Sequence, residues 1–221
     1  MGRVIMRGAC PLMTVPKAGT PLSAYAEGSI IKINENGSPV EFYVAKHNYE
    51  TELNGAGRTL VVRKDCYNNQ YWNYSIKNTY ASSSIDSWLN STYKNLFSEK
   101  ILKSIGVTSF QYTPGNGDNT VSMLERAIFL LSGTELGKTE NYFNVEGNAL
   151  TIANTLQIAY LDALPATQWT RSPTTRSTDE AVILSFQGAV SASSLTTNYG
   201  SRPAFTLPST TKIDENGQVI E

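Results

Sequence analysis

Short apolar segments near the start of the chain, separated by polar and Gly-containing turns, predict a β-meander. Residues 29–33 and 41–46 are rich in Ile, Val and aromatic residues, as strands are, and Asn36-Gly37 between them tolerates the positive φ of a hairpin turn. A third strand is predicted at residues 58–64, after a Gly-rich turn. We therefore expect residues 29–66 to form a meander.

A helical period follows the meander. Ile85, Trp88 and Leu89 recur at the i, i+3, i+4 spacing of a buried helical stripe, which Leu96 extends. A serine at 82, 83 or 84 can cap its start. Residues 98–104 predict a second, shorter helix that ends before Gly106.

The rest of the chain gives mixed signals. We expect a loop at 110–119, a buried strand or helix end at 127–131, a helical piece at 150–161, a hairpin of strands 181–186 and 189–191, and a final core strand at 202–207.

The chain repeats one short pattern near its two ends. Lys32–Gly37 recurs with one change as Lys212–Gly217, which predicts two similar and adjacent hairpins with the chain ends brought together. Residues 1–25 carry Pro and Gly without sustained periodicity and predict an extended arm. We divide the chain into this arm and one domain over residues 26–221.

The charge and hydrophobicity of the chain argue against nucleic-acid binding and against insertion into a membrane. The net charge of −1 argues against nucleic-acid binding, which requires an electropositive face. No apolar stretch approaches the roughly 20 residues that span a bilayer, and the start of the chain lacks a signal-peptide core. The low charged fraction of 17% and the twelve tyrosines fit either a generally β-rich protein or a surface that binds through hydrogen bonds and aromatic rings.

Candidate catalytic chemistry is sparse. The single histidine, His47, has no Gly-x-Ser-x-Gly elbow to serve, so we expect a locally hydrogen-bonded imidazole. Glu50 and Glu52 near His47, and the adjacent Asp179-Glu180, do not define a glycosidase pair. The spacing of Cys10 and Cys66 does not decide between a disulfide and two reduced thiols, of which we favour the reduced thiols. We therefore expect no enzyme, no cofactor and no metal site.

Two arginines lie in segments that are otherwise apolar or aromatic. Trp169–Pro173 is expected to close a helical region and open a loop, and Arg202 precedes a core strand. Because a buried arginine must be paired, we expect Arg171 and Arg202 to form structural salt bridges or carbonyl hydrogen bonds rather than to bind an anion.

Five motifs in order resemble a tail-protein domain of phages and prophages of gut Firmicutes. They are Ser87-Trp88-Leu89-Asn90, Ile128–Ser132, Ile158–Leu161, Trp169–Pro173 and Gly200–Phe205. The family's own motifs include Trp-Leu-Arg-Ser-Pro and Gly-Val-Arg-Pro-Ala, from which Thr170 and Ser201 depart. The resemblance spans roughly residues 25–220.

The resemblance implies an α+β, C-type-lectin-like fold with a mixed antiparallel sheet, one or two main helices, long loops and chain ends close together. Related variable proteins bind ligands on the segment between the two arginine motifs, here 174–199. The implied ligand-binding residues are Arg176, Thr178, Asp179, Ser191, Ser193, Thr196, Asn198 and Tyr199. The implied structural residues are Trp88, Trp169, Arg171, Pro173, Arg202 and Pro203.

This resemblance implies a non-catalytic virion protein that recognises a host-surface receptor, glycan or protein. Its enzyme branch uses C-terminal cysteines, and this chain has none after Cys66; the calcium motifs of animal lectins are also missing. The arm would contact other virion proteins, and a homo-oligomer, preferably a trimer, would assemble in the bacterial host cytoplasm. The alternatives are a purely structural head-fibre, decoration or baseplate protein, and a hydrolase that uses Asp or Glu.

Overall fold

A computed structural model describes residues 19–220. Its strands are β1 Thr20–Pro21, β2 Ile30–Glu35, β3 Ser38–His47, β4 Arg58–Arg63, β5 Asn68–Tyr71, β6 Thr108–Tyr112, β7 Ser122–Arg126, β8 Ala159–Leu161, β9 Leu164–Ala166, β10 Gln168–Pro173, β11 Glu180–Leu184, β12 Val190–Ser194, β13 Asn198–Ser201, β14 Ala204–Pro208 and β15 Lys212–Ile213. Its α-helices are α1 Thr51–Asn54, α2 Ser84–Trp88, α3 Glu99–Ser104 and α4 Ala153–Leu156. The predicted α+β class, mostly antiparallel with few helices, is confirmed.

The predicted meander forms the first sheet. Asn36 and Gly37 take φ values of 50° and 76°, which turns β2 directly into β3. Strand β4 pairs with β3, and β14 returns from the end of the chain to pair with β4, so this antiparallel sheet has the order β14-β4-β3-β2.

The second sheet holds the segment between the arginine motifs. Its order is β12-β11-β10-β13-β5, with one parallel pair, β10 and β13. Two indoles tie β5 to β10, since the Nε1 atoms of Trp169 and Trp72 donate to the carbonyls of Gln70 and Thr170, both at 2.8 Å. Pairing across this sheet therefore holds the strands that carry the candidate ligand-binding residues.

The predicted helix is helical but not uniform. Ser83 caps α2 by accepting from the Asp86 amide at 3.2 Å, and a π-helical turn at Leu89–Tyr93 and a 3-10 turn at Lys94–Leu96 continue it. Further 3-10 turns lie at Leu22–Ala24 and Tyr80–Ser82. Residues 98–104 were predicted to form a short helix, and α3 lies within them; Ser98 caps it by accepting from the Ile101 amide at 3.3 Å.

The main core packs this helical segment against both sheets. It includes Trp72, Tyr93, Trp169 and Phe205, all buried. A second cluster forms around Tyr49, Phe110 and Phe129. No helix among the described residues has both the length and the apolarity to cross a membrane.

Several sequence-based predictions were wrong. Trp169–Pro173 is the central strand β10 and not a helix end. The predicted loop at 110–119 begins with part of β6, and only Ala153–Leu156 of the predicted helical piece is helical before β8 starts. Residues 127–131 lie outside the named strands and helices, and Phe129 forms an isolated β-bridge with Ala204.

The predicted boundary between the arm and the domain at residue 25 was also wrong, because the domain begins earlier in the chain. Thr20–Pro21 pairs with Lys212–Ile213, and Leu22 is buried in the main core. Residues 20–25 therefore belong to the domain, and the predicted arm otherwise lies at residues 1–18, outside the described residues, as does Cys10.

Candidate functional site

Arg171 is held in a buried network of charges. Its Nη1 lies 2.6 Å from Oε2 of Glu135, and its Nε lies 3.9 Å from Oε2 of Glu146. It also donates to the carbonyl oxygens of Leu130 at 3.0 Å and of Gln111 at 2.9 Å. All its donor directions point into protein, which agrees with the structural pairing predicted for this residue.

Both carboxylates of this network are also saturated. Glu135 accepts from the Ser132 amide at 2.9 Å and from the Tyr49 hydroxyl. Glu146 accepts from the Thr113 amide and the Ser172 hydroxyl, both at 2.7 Å. Burial raises the pKa of Glu146, although Arg171 acts in the opposite direction. The network holds irregular segments together and leaves no group free for a substrate.

The guanidinium group of Arg202 is also buried, but it is paired with carbonyl oxygens and not with a carboxylate. It donates to the carbonyl oxygens of Arg63, Leu156 and Lys64 at 2.8, 2.7 and 2.6 Å. Burial lowers the pKa of Arg202. The remaining motif residues frame the same core: Pro173 and Pro203 are buried, and Trp88 packs on Tyr67 and Tyr93.

The implied ligand-binding residues lie in three separate places. The first is the β10–β11 loop, where Arg176 lies 4.4 Å over the ring of Tyr142 and 3.9 Å from Glu180, and Asp179 bonds to Ser177. A hollow of about 360 Å³ is lined there by Gly117 and by residues 174–178, which include Thr178.

The second place is the outer edge of the five-stranded sheet. Ser191 and Ser193 lie on β12, which pairs only with β11 in that sheet. The Ser193 hydroxyl bonds to Thr197, and Thr196 bonds to Ser194 in the following turn.

The third place joins β13 to a hairpin that the sequence did not reveal. Asn198 and Tyr199 border a cavity of about 260 Å³, whose other lining residues are Asn69, Leu161, Leu164, Pro165, Ala166 and Thr167. The ring of Tyr199 packs edge-on against Trp169 at 5.2 Å, so this tyrosine belongs partly to the core.

The register defines which side chains accompany Asn198. Asn198 faces Tyr71 and Gly200 faces Asn69, so Asn69, Tyr71 and Asn198 share one side of the β5–β13 pair. All three are exposed. We call these residues and the β8–β9 hairpin beside them the β5–β13 face.

The hairpin itself presents apolar atoms to solvent. Asp162 and Ala163 make its turn with φ values of 51° and 65°, and Leu164 beside the turn is 70% exposed. Tyr160 is also exposed. Sequence reasoning missed the hairpin because a tight turn of this kind is normally signalled by Asn or Gly.

A further hollow of about 360 Å³ lies beside Glu50. Partial burial, and then the charge of Glu135, raise the pKa of Glu50, whose φ of 47° is left-handed. The neighbouring His47 is fully engaged, with Nε2 2.7 Å from the Tyr25 carbonyl and Nδ1 2.9 Å from the Thr59 hydroxyl. In the part of the chain that is described, no side chain is hydrogen-bonded to the carboxylate of Glu50, which borders this hollow.

Comparison with known proteins gives one match. The family described as "Domain of unknown function (DUF6273)" matches residues 56–209, which include all five strands of the second sheet, β4 and β14 of the first sheet, and both arginine motifs. No curated protein matches the chain, and no solved structure matches it. Because the match covers more than half of the sequence, the chain belongs to the DUF6273 domain family.

Proposed function

We propose that this chain is a non-catalytic recognition protein of a phage particle, with a C-type-lectin-like domain that contacts a host-surface glycan or protein. The order and spacing of its motifs support the phage assignment. The lectin-like assignment is supported by the pairing of β1 with β15 near the ends of the domain and by the long irregular stretch between β7 and α4. Residues 1–18 would attach the domain to other virion proteins or to sister subunits.

The β5–β13 face carries the proposal. Among the described residues, the side chains of Asn69 and Asn198 and the hydroxyl of Tyr71 make no hydrogen bond. The two asparagines border a cavity that the exposed Leu164 also lines. Amide groups, a tyrosine and an apolar side chain on paired strands form a rigid, uncharged contact surface. Such a surface binds by complementarity and offers no group for bond cleavage.

Binding of the labelled full chain to cells of a panel of gut Firmicutes tests this function. We expect at least one strain to bind, and the double change Asn198→Ala with Leu164→Ser to reduce that binding at least tenfold. Both side chains are exposed, so the melting temperature should stay within about 2 °C of the parent. The matched control, Asn95→Ala with Val107→Ser, alters an exposed amide and an exposed apolar side chain elsewhere and should bind like the parent.

The same exposed hairpin favours one rival, a purely structural virion protein whose domain packs against neighbouring subunits. In that case Leu164→Ser would dissociate the oligomer in sedimentation velocity, and no strain would bind the parent chain. Hydrolysis of host polysaccharide by the parent chain would overturn both proposals.

A further inference from the structure

A second groove, which adjoins the β5–β13 face where Tyr74 contacts Tyr71, runs between the end of β5 and the helical segment at 80–93. Its volume is about 440 Å³. Nine residues line it: Gln70, Tyr74, Ser82, Ser83, Ser84, Ser87, Trp88, Ser91 and Thr92. Seven of the nine carry hydroxyl groups, and none is charged. We call it the hydroxyl groove.

Some of these hydroxyls are used to build the groove. Ser83 caps α2, and Ser84 donates to Oδ1 of Asn73 at 3.0 Å while accepting from the Tyr74 amide at 3.1 Å. Ser91 donates to the Ser87 carbonyl at 2.6 Å. These bonds fix the strand-to-helix junction, so the groove is formed before any ligand binds.

Other polar groups of the groove are free to bind. Within residues 19–220, the side chains of Gln70, Ser82, Ser87 and Thr92 make no hydrogen bond with protein. Three hydroxyls and one amide thus offer both donors and acceptors to a ligand. A ligand rich in hydroxyl groups can satisfy both kinds of group at once.

Two aromatic rings complete the groove. Tyr74 is 72% exposed, and its ring centroid lies 5.3 Å from that of Tyr71. Trp88 is half-buried and packs at 5.7 Å on Tyr67 and at 5.6 Å on Tyr93, which fixes its orientation. Flat rings beside hydroxyl groups match a pyranose, which has an apolar C–H face and a rim of hydroxyls.

The lining residues carry no charge, which favours an uncharged ligand. A phosphate or carboxylate would meet no lysine or arginine of the lining, and an ammonium group would meet no carboxylate. We propose that the hydroxyl groove binds an uncharged pyranose oligosaccharide. The biological role of this binding rests on the proposed recognition function. The binding itself is argued from the groove alone.

Titration of the purified full chain with uncharged tri- to hexasaccharides of glucose, galactose, rhamnose and N-acetylglucosamine tests the groove. Binding is measured by calorimetry and by the fluorescence of tryptophan. We expect at least one series to bind, and Tyr74→Ala to weaken it at least fivefold through loss of ring stacking. Ser87→Ala should weaken it about two- to tenfold, the usual range for one hydrogen bond.

Matched controls separate the groove from the rest of the surface. Phe186→Ala and Ser122→Ala remove an exposed aromatic ring and an exposed hydroxyl outside both proposed binding surfaces and should leave sugar affinity unchanged. The proposal is overturned if no uncharged oligosaccharide binds, if Tyr74→Ala binds like the parent, or if sialylated or phosphorylated sugars bind more tightly.

The two proposals fail in different ways. Cell binding that Asn198→Ala with Leu164→Ser abolishes, without any sugar binding sensitive to Tyr74→Ala, would refute the groove alone. Sugar binding sensitive to Tyr74→Ala, without binding to any cell, would refute the proposed function and leave the groove.

Discussion

At the scale of single residues, two buried arginines show two ways of keeping a cation inside a protein. Arg171 is neutralised by Glu135 and Glu146, whereas Arg202 relies on three carbonyl oxygens. The sequence predicts that both need partners, because unpaired charge is rarely buried. It does not predict which partners, since Glu135 and Glu146 lie in an irregular stretch without periodicity.

Replacement of Arg171 tests the role of its network. We expect Arg171→Met to lower the free energy of unfolding by about 3–5 kcal/mol, or to prevent folding, because Glu135 and Glu146 would remain buried without a cation. Denaturant unfolding measures this loss. Arg176→Met, at an exposed arginine, serves as control and should change stability by about 0.5 kcal/mol or less. A loss below about 1 kcal/mol in Arg171→Met would show that the network is dispensable.

At the scale of elements, the sequence predicts the turns and helix ends that depend on residues close together in the chain. The Asn36-Gly37 turn and the serine cap of α2 occur where expected, and α3 lies within the predicted residues 98–104. Strand β10 was missed because all six of its residues are buried, which erases the alternation that identifies a strand. The β5–β13 face was missed because it depends on a pairing between residues more than a hundred positions apart.

Close approach between elements also explains the glycine that begins the Gly200–Phe205 motif. A Cβ atom at Gly200 would lie 2.5 Å from Sγ of the buried Cys66 and 3.0 Å from the Thr167 carbonyl oxygen. Burial raises the pKa of the Cys66 thiol to about 11, so the thiol is protonated at neutral pH. The close approach of Gly200 to Cys66 is therefore a matter of steric fit and involves no thiolate charge.

The shape argument can be tested with a double-mutant cycle. We expect Gly200→Ala to destabilise the protein by about 1–3 kcal/mol because it crowds the junction of β10 and β13. In a Cys66→Ala background the cost should fall, since the nearest clashing atom is gone, although the Thr167 carbonyl remains close. Chemical denaturation of the four proteins gives the coupling. An equal cost in both backgrounds would exclude the sulfur as the cause.

At the scale of the whole molecule, a net charge near zero conceals several buried carboxyl groups. Asp86 is one, with Nε of Arg126 2.8 Å from its Oδ2. Burial raises the pKa of Asp86 from 3.8 to about 6, and Arg126 only partly offsets this. The folded state then binds this proton more tightly than the unfolded state does.

The sign of the resulting pH dependence follows from this raised pKa. The stabilising contribution of protonated Asp86 is fully present below its unfolded pKa of 3.8 and is lost as the pH rises through about 6. Relative to Asp86→Asn, the parent should lose about 2 kcal/mol of unfolding free energy between about pH 4.5 and about pH 7.5. Urea titrations at both pH values measure the difference. A relative gain in stability with rising pH would mean that Arg126 outweighs burial.

The pairing of β1 with β15 has a consequence for how the domain can be carried. The amide of Lys32 donates to the carbonyl of Gly217 at 2.7 Å, so the two Lys-Ile-Asx-Glu-Asn-Gly turns lie side by side, and Gly19 touches Ile220. Residues 19 and 220, the first and last described residues, therefore lie next to each other in the folded domain. Such a unit can be inserted into a loop of another protein, or circularly permuted by a short bridge from residue 220 to residue 19, without stretching either sheet.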